Sequence, residues 1–337
     1  MNRYILARRL IAFSILISLA VSVAASALGL KDIAEELHTI KVASNSPIAE
    51  NIQFSTYKNI AYFGELNATD PDGEKISFQL VNKPARGSVT FASDGSMEFV
   101  YTPYENKTGK DSFTYIAIDE SGNMSEEATV KIKIQKPDTK VTYADLTGHP
   151  VYNAAIRLAE ENIYVGAFMD GAYYFQPDLP VTRSEFLVLS MSAVGLDALE
   201  GITSTGFFDD DSIEVWAKPY VSSALKSGIV QGSVSANGEI NFGSNESISA
   251  ADASFILNNL LSISDVPIET SAVNTDNIPV WACQAAVNLE SVGILKTDAS
   301  GKLLLDHNLN RKDVAEMLSA ALEIIDTRKE SSGWFNW

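Results

Sequence analysis

The chain of 337 residues carries 25 Lys and Arg against 43 Asp and Glu, a formal net charge of −18 with a pI near 4.5, and 46% hydrophobic residues. That balance excludes a nucleic-acid partner, because a phosphate backbone needs a basic footprint, while the length and apolar content suit about two or three ordinary cores. A single cysteine, Cys283, excludes an internal disulfide framework, and the isolated histidines His38, His149 and His307 have no zinc-ligand spacing.

Residues 1–27 read as a secretory signal. Arg3, Arg8 and Arg9 precede the apolar run LIAFSILISLAVSVAA, and Ala25-Ser26-Ala27 fits a small-residue cleavage site. The run is short for a membrane span, and no cysteine follows it to take a lipid. An uncleaved membrane anchor is the alternative. No later stretch is apolar enough to cross a bilayer, so the mature chain is expected to be exported without a transmembrane segment. Its attachment to a cell would be non-covalent or through a partner. Residues 28–45 form a short segment that includes the helix-like KDIAEELHTI.

From 46 to 135 the pattern is short alternating runs separated by turns. VKIKIQ puts Val130, Ile132 and Ile134 on one face and Lys131, Lys133 and Gln135 on the other, as a half-buried strand requires. DSFTYIAID alternates Phe113, Tyr115 and Ala117 in the same way. Turn signals fall at Asp72-Gly73, Asp94-Gly95 and Ser121-Gly122. About seven strands in this length predict an antiparallel β-sandwich.

The skeleton G-x-L-x-A-T-D-P-D-G, P-x-x-G-x-V, Y-T-P, G-x-D-S-F-T-Y and D-x-x-G-x-x-S across this region resembles the bacterial cadherin-like, immunoglobulin-like repeats of surface proteins. Asp70, Asp72 and Asp119 carry oxygen ligands of the kind calcium takes. Asp-Pro-Asp-Gly is equally a turn in which Asp side chains bond nearby backbone N–H groups. Val81 falls where an EF-hand would need its bidentate Glu, so the loop is not of that type. Calcium stays open as a ligand, and no other cofactor is expected.

Residues 136–141, KPDTKV, read as a polar linker. Beyond them the hydrophobic period changes from two to about 3.6, and the sequence repeats at a spacing of roughly 60–70 residues. The units are 142–198, 199–264 and 265–328, with a tail at 329–337 ending in Trp334, Phe335 and Trp337. Each unit has an acidic turn, an aromatic, a helix, a glycine-bearing loop and a second, capped helix. Tyr152, Ala155, Ile156 and Ala159 share a helical face in the first unit. Trp216, Tyr220 and Ala224 do so in the second, and Trp281, Ala285 and Leu289 in the third. These aromatics serve core packing, sugar stacking, or both. Cys283 reads as a small buried apolar residue beside Trp281.

The second helices open with Thr182-Arg183-Ser184-Glu185, Ser249-Ala250-Ala251-Asp252 and Asn310-Arg311-Lys312-Asp313. The first and last of the four residues form a capping box. Arg183 and Arg311 take the first helical position, where the macrodipole disfavours a cation. Beside open backbone N–H groups an arginine there makes an anion receptor. A salt bridge to a nearby Asp is the structural alternative.

This constellation resembles the S-layer homology (SLH) domain, a family that occurs in sets of three. Tyr143-Ala144-Asp145 and Phe207-Phe208-Asp209 match its F-x-D element, and Thr275-Asp276 matches it loosely. Trp216-Ala217 and Trp281-Ala282 match its W-A pair, Gly166 and Gly232 fall in its loop, and Thr182 to Glu185 is close to its T-R-A-E. The resemblance implies a multidomain chain: an all-β cadherin-like sandwich followed by a mostly helical, pseudo-threefold triplet. It also implies grooves between units that bind secondary cell-wall polysaccharide, often through a pyruvyl ketal. Arg183 and Arg311 would meet the carboxylate, Asp145, Asp209 and Asp276 would accept from sugar hydroxyls, and Trp216 and Trp281 would pack on the ring. Ala250 replaces the arginine of the second unit and Tyr152 the tryptophan of the first, so an uneven binder is expected.

The expected function is therefore a non-enzymatic, cell-wall-anchored surface protein that presents the sandwich as a spacer or adhesive module. The alternative is a scaffold whose triplet contacts other S-layer or surface proteins. No G-x-S-x-G, H-E-x-x-H or phosphate loop supports an enzyme.

Overall fold

The period-2 alternation at the end of the β region becomes the central strand of a sandwich. The computed structural model describes residues 45–271, 273–298 and 301–332. Residues 1–27, read above as a secretory signal, KDIAEELHTI with His38, and Trp334, Phe335 and Trp337 lie outside the described residues. The strands are β1 (Ile48–Ala49), β2 (Ile52–Tyr57), β3 (Tyr62–Glu65), β4 (Ala68–Thr69), β5 (Ser77–Asn82), β6 (Gly87–Phe91), β7 (Glu98–Pro103), β8 (Gly109–Ile118) and β9 (Ala128–Gln135). One sheet has the order β2-β9-β8-β5 and the other β3-β7-β6, with β1 and β4 as a small separate pair. All ladders within the two sheets are antiparallel except β2 with β9, which runs parallel from Ile52↔Val130 to Tyr57↔Gln135. Val130, Ile132 and Ile134 face inward and are buried, together with Phe99, Tyr101, Phe113 and Tyr115. Each such side chain contributes about 1.5–3 kcal/mol by leaving water. The two buried tyrosines keep their hydroxyls bonded, Tyr101 to Asp111 Oδ2 at 2.7 Å and Tyr115 to the Glu50 carbonyl at 2.7 Å, as burial of a polar group demands.

The helical region contains α1 (Tyr152–Glu160), β10 (Ala167–Met169), β11 (Ala172–Tyr174), α2 (Arg183–Ala193), α3 (Lys218–Lys226), β12 (Ser233–Val234), β13 (Ile240–Asn241), α4 (Ala250–Leu261), α5 (Val280–Ser291) and α6 (Arg311–Ser332). The second helix of each unit packs on the first helix of the next: α2 on α3, α4 on α5, and α6 back on α1. That last contact closes a cycle. Two loop glycines are required by close approach. A Cβ on Gly166, which has φ +76, would lie 2.5 Å from the Tyr174 carbonyl oxygen, and one on Gly232 would lie 2.3 Å from Ile240 Cγ2.

At the centre of the cycle the residues just before the three second helices bond to one another. Val181 N–H donates to the Leu309 carbonyl (3.1 Å), Leu309 N–H to Ile248 (2.9 Å), and Ile248 N–H to Val181 (2.9 Å). All three side chains are buried. The first N–H of each second helix also crosses to a neighbouring unit: Arg183 to the Glu246 carbonyl, Ala250 to His307 and Arg311 to Leu179, each at 2.9 Å.

The sandwich is docked on this assembly. Tyr57 and Ile60, at the β2–β3 turn, are buried in the helical core. Asn153 on α1 accepts from Thr56 Oγ1 (2.9 Å) and Tyr57 N–H (3.3 Å) and donates to the Ala61 carbonyl (2.8 Å). Residues 136–141, read above as a linker, are pinned: Asp138 N–H donates to Glu160 at 2.6 Å and Val141 is buried. Lys296 bridges to Glu65 at 3.3 Å. The sandwich and all three units line a crevice of 650 Å³, with Tyr57, Tyr62, Ala250, Glu316 and Glu323 among its residues.

Two predictions follow from this docking. Asn153→Ala leaves Tyr57 N–H and the Ala61 carbonyl without their partner, so denaturant unfolding should show a loss of about 1–3 kcal/mol. Limited proteolysis should then cut within 136–141. In the crevice, partial withdrawal from water raises Glu316 and Glu323 above the ordinary 4.5, with Asp313 and Asp326 respectively adding to it. Their protonated forms favour the folded state below about pH 4.5, and that benefit is lost as pH rises through the raised values. Glu323→Gln should therefore raise Tm at pH 7 and leave it little changed at pH 4. An equal rise at both pH values would show that ionisation is not the cause.

Candidate functional site

Each groove between units is built from the first residue of one unit's second helix and the fourth capping-box residue of the next unit. The caps hold these residues in place. Thr182 Oγ1 accepts the Glu185 N–H (3.2 Å) while Glu185 Oε2 accepts the Thr182 N–H (2.8 Å). Asn310 and Asp313 reciprocate in the same way at 3.3 and 2.9 Å. In the second unit, Ser249 Oγ accepts the Asp252 N–H (3.1 Å) and donates to Asp252 Oδ2 (2.7 Å). Asp252, one methylene shorter than a glutamate, bonds the cap hydroxyl.

The backbone N–H groups beside Arg183 and Arg311 are not open to a ligand, contrary to the anion-receptor reading. Those of Arg183 and Ser184 are taken by the Glu246 and Ser244 carbonyls, and those of Arg311 and Lys312 by Leu179 and Pro177. Cyclic closure consumes the N–H groups that an isolated helix would leave free. Only the guanidinium groups remain for recognition, and the two differ. Arg183 Nη1 pairs with Asp252 Oδ1 at 2.7 Å, its Nε is buried without a hydrogen-bond partner, and its Cζ lies 5.4 Å from the Phe242 ring centroid. Arg311 Nη1 donates to the Gln176 side-chain oxygen (2.8 Å) and the Phe175 carbonyl (3.3 Å), both neutral. Among the described residues Arg311 has no carboxylate in ion-pair distance, and its Nε and Nη2 donate to none of them.

Arg311 lines a cleft of 160 Å³ with Tyr164, Phe175, Glu185 and Leu189 of unit one and Trp216 of unit two, so all three units contribute. Its Cζ lies 5.3 Å from the Tyr164 ring centroid, a cation–π distance. Burial raises the Tyr164 pKa, with Arg311 pulling it down and Glu185 pushing it up. Trp216 is 49% exposed. It sits in the turn before α3, which starts at Lys218 with Pro219 near its first turn. Lys312 pairs with Asp178 of unit one at 2.8 Å.

The remaining residues named from the sequence separate by role. Asp145 accepts the N–H groups of Phe175 (3.0 Å) and Gln176 (2.7 Å), and Asp209 accepts those of Phe242 and Gly243, both at 2.8 Å. These carboxylates clamp the loop that follows each hairpin, and each oxygen already holds a backbone donor. Asp276 is exposed and its own N–H bonds Asn274 Oδ1 at 3.0 Å. Ala144, Phe208 and Asn274 N–H donate alike to the Tyr173, Ile240 and Gly301 carbonyls, so Thr275, not Asp276, occupies the place of Asp145 and Asp209. Trp281 is half-exposed, edge-on to Phe255 with centroids 5.9 Å apart, and Tyr152 is edge-on to Tyr143. Cys283 is half-buried on the same helix. Tyr164, Gln176 and the pairing of Asp252 were not read from sequence. The last had a signal, the shorter acid at the position of Glu185.

The three aspartates read as possible calcium ligands sit in turns of the sandwich. Asp70 Oδ1 accepts the Asp72 and Glu74 N–H groups at 2.9 Å each, and Asp119 accepts the Asn123 N–H (2.7 Å) and side-chain amide (2.8 Å). Asp72 is exposed. Among the described residues no group of three His, Cys, Asp or Glu is placed to hold a metal ion. Turn chemistry accounts for Asp119 and for Asp70 Oδ1, while Asp70 Oδ2 is buried with no hydrogen-bond partner among the described residues.

Comparison with known proteins places the β region. Residues 44–136 match the bacterial cadherin-like domain family. Over 113 residues the chain is 34% identical to a surface-layer 125 kDa protein of Lysinibacillus sphaericus, which is 33% of this chain and 9% of that protein. Among solved structures, an endo-fucoidan hydrolase of glycoside hydrolase family 107 aligns at 16% identity and TM-score 0.25, over 28% of this chain and 14% of that one. A mutant of the SrpA adhesin of Streptococcus sanguinis aligns at 19% and TM-score 0.22, over 30% and 66%. Likeness at that level says nothing of activity. Among the described residues no helix is long and apolar enough to cross a membrane.

The clamp reading separates folding from recognition. Asp209→Ala strands two backbone donors and should cost about 2–4 kcal/mol in urea unfolding. Asp276→Ala should stay within about 0.5 kcal/mol of the parent.

Proposed function

We propose that this chain is a non-enzymatic, exported cell-surface protein. Its helical triplet, an SLH-type anchor, holds it to secondary cell-wall polysaccharide, with a pyruvylated sugar as the ligand. The observation that carries this reading is the Arg311 cleft. A guanidinium with no carboxylate partner among the described residues stands beside a half-exposed tryptophan and Tyr164, in a space bounded by three units. A sugar that bears a carboxylate matches it: the anion meets Arg311 through charge-assisted hydrogen bonds and the ring packs on Trp216. Glu185, held by its cap, has a second oxygen to accept from a hydroxyl. The surface location is supported by the cadherin-like domain and by the similarity of a third of the chain to a surface-layer protein. The sandwich, docked on the triplet, is presented as a fixed module and not on a flexible tether.

A second reading, a scaffold that contacts other surface proteins, is favoured by exposed apolar side chains. Val215 and Val280 precede the two tryptophans and are 83% and 92% exposed, and Phe168 and Phe208 stand on the outer lobes at 62% and 67%. Sedimentation of the protein with cell-wall sacculi, before and after removal of the secondary polymer, tests the two. Binding should require the polymer. Arg311→Ala should weaken it by about 1.5–3 kcal/mol, the loss of a charge-assisted bond, and Arg183→Ala, whose charge Asp252 already neutralises, should have much less effect. Binding that survives polymer removal would sink the glycan reading and favour the protein-contact one.

A further inference from the structure

Two of the three grooves carry an arginine at the first helical position, and in each the capping acid of the next unit stands opposite. In one, Glu185 is long enough to reach back to its own N-cap amide at 2.8 Å, which leaves Arg311 without a carboxylate. In the other, Asp252 bonds its cap side chain and not the cap N–H. One oxygen bonds the Ser249 hydroxyl and the other meets Arg183 at 2.7 Å, with 14% of the arginine side chain and 34% of the aspartate exposed. We infer that Asp252 is a built-in carboxylate that occupies Arg183 in place of an anionic ligand, so that the triplet has a single anion-binding cleft, at Arg311. This rests on the reading of the grooves as glycan-carboxylate sites.

Several observations converge on it. The Arg183–Asp252 pair is partly buried, so its attraction is less screened than at an open surface. The two residues belong to one folded body, so a ligand from solution competes against an effective concentration fixed by the fold. Arg183 is further held against the Phe242 ring. The third groove offers no substitute: Ala250 stands where the arginine would be, and the cations that line the same crevice, Arg157 and Lys296, already pair with Asp326 and Glu65. The asymmetry therefore arises from the partner one capping carboxylate takes in one groove and from one missing guanidinium in another.

Calorimetric titration of the full chain with a methyl hexopyranoside carrying a pyruvate ketal tests the inference. The parent should bind one equivalent. Asp252→Gln, which is neutral and long enough to complete the capping box, should bind two, and the second site should vanish in Asp252→Gln with Arg183→Ala. Asp252→Glu provides a check on geometry against charge. It keeps the carboxylate but can reach back as Glu185 does, and should also expose a second site. Two equivalents in the parent, or one in every variant, would overturn the inference and leave the glycan reading standing. No binding by the parent or any variant would overturn both. Unchanged melting temperatures confirm that the variants are folded.

Discussion

The helical region depends on a closed ring of three backbone hydrogen bonds, Val181 to Leu309 to Ile248 and back to Val181. These bonds join segments separated by more than sixty residues in sequence, and each lies next to a buried aliphatic side chain. In such surroundings a hydrogen bond is costly to leave unmade, so the three units close together or not at all. The ring fixes where each second helix starts. The caps of Thr182, Ser249 and Asn310 then fix which side chain stands at its first position and which acid faces the neighbouring unit. Every groove inherits its geometry from that ring.

The same closure changes what a helix N-terminus does. An isolated second helix would offer unpaired N–H groups to an anion. Here those donors are already satisfied by carbonyls of the adjacent unit, so recognition passes from the backbone to the side chains. This is why the partner of one carboxylate or one missing guanidinium distinguishes grooves that share a backbone. Glu185 turns to its own cap and leaves Arg311 available, Asp252 turns outward and neutralises Arg183, and Ala250 offers no charge. A nearly threefold scaffold is thereby asymmetric in its chemistry.

The β-sandwich adds a further asymmetry. Tyr57 and Ile60 enter the helical core, and Asn153 bonds three backbone and side-chain groups of the sandwich. Its docking covers the side of the triplet where Ala250 lies and forms an acidic crevice there. Lys136 to Val141 had the composition of a linker, yet Asp138 and Val141 are fixed in place. Polarity and proline mark a stretch that breaks regular structure, but they do not reveal whether the flanking bodies touch.

Much of the local structure was legible from the residues alone. Period-2 alternation fixed the inward face of β9 as Val130, Ile132 and Ile134, and the T-x-x-E, S-x-x-D and N-x-x-D signatures placed the starts of α2, α4 and α6, because such signals act within a few residues of one another. The candidate arginines were also visible, since a cation at the first helical position runs against the macrodipole and calls for another explanation. Only the tertiary structure decided what those residues meet. Asp145 and Asp209 clamp backbone, Thr275 and not Asp276 is their counterpart in unit three, Asp70 and Asp119 serve their own turns, and Arg183 and Arg311 differ in their partners. Each of these outcomes depends on distances of a few ångströms between groups far apart in the chain, set by how the units close on one another. Side-chain length and charge are written in the sequence, but the neighbour that makes them matter exists only after the ring has formed.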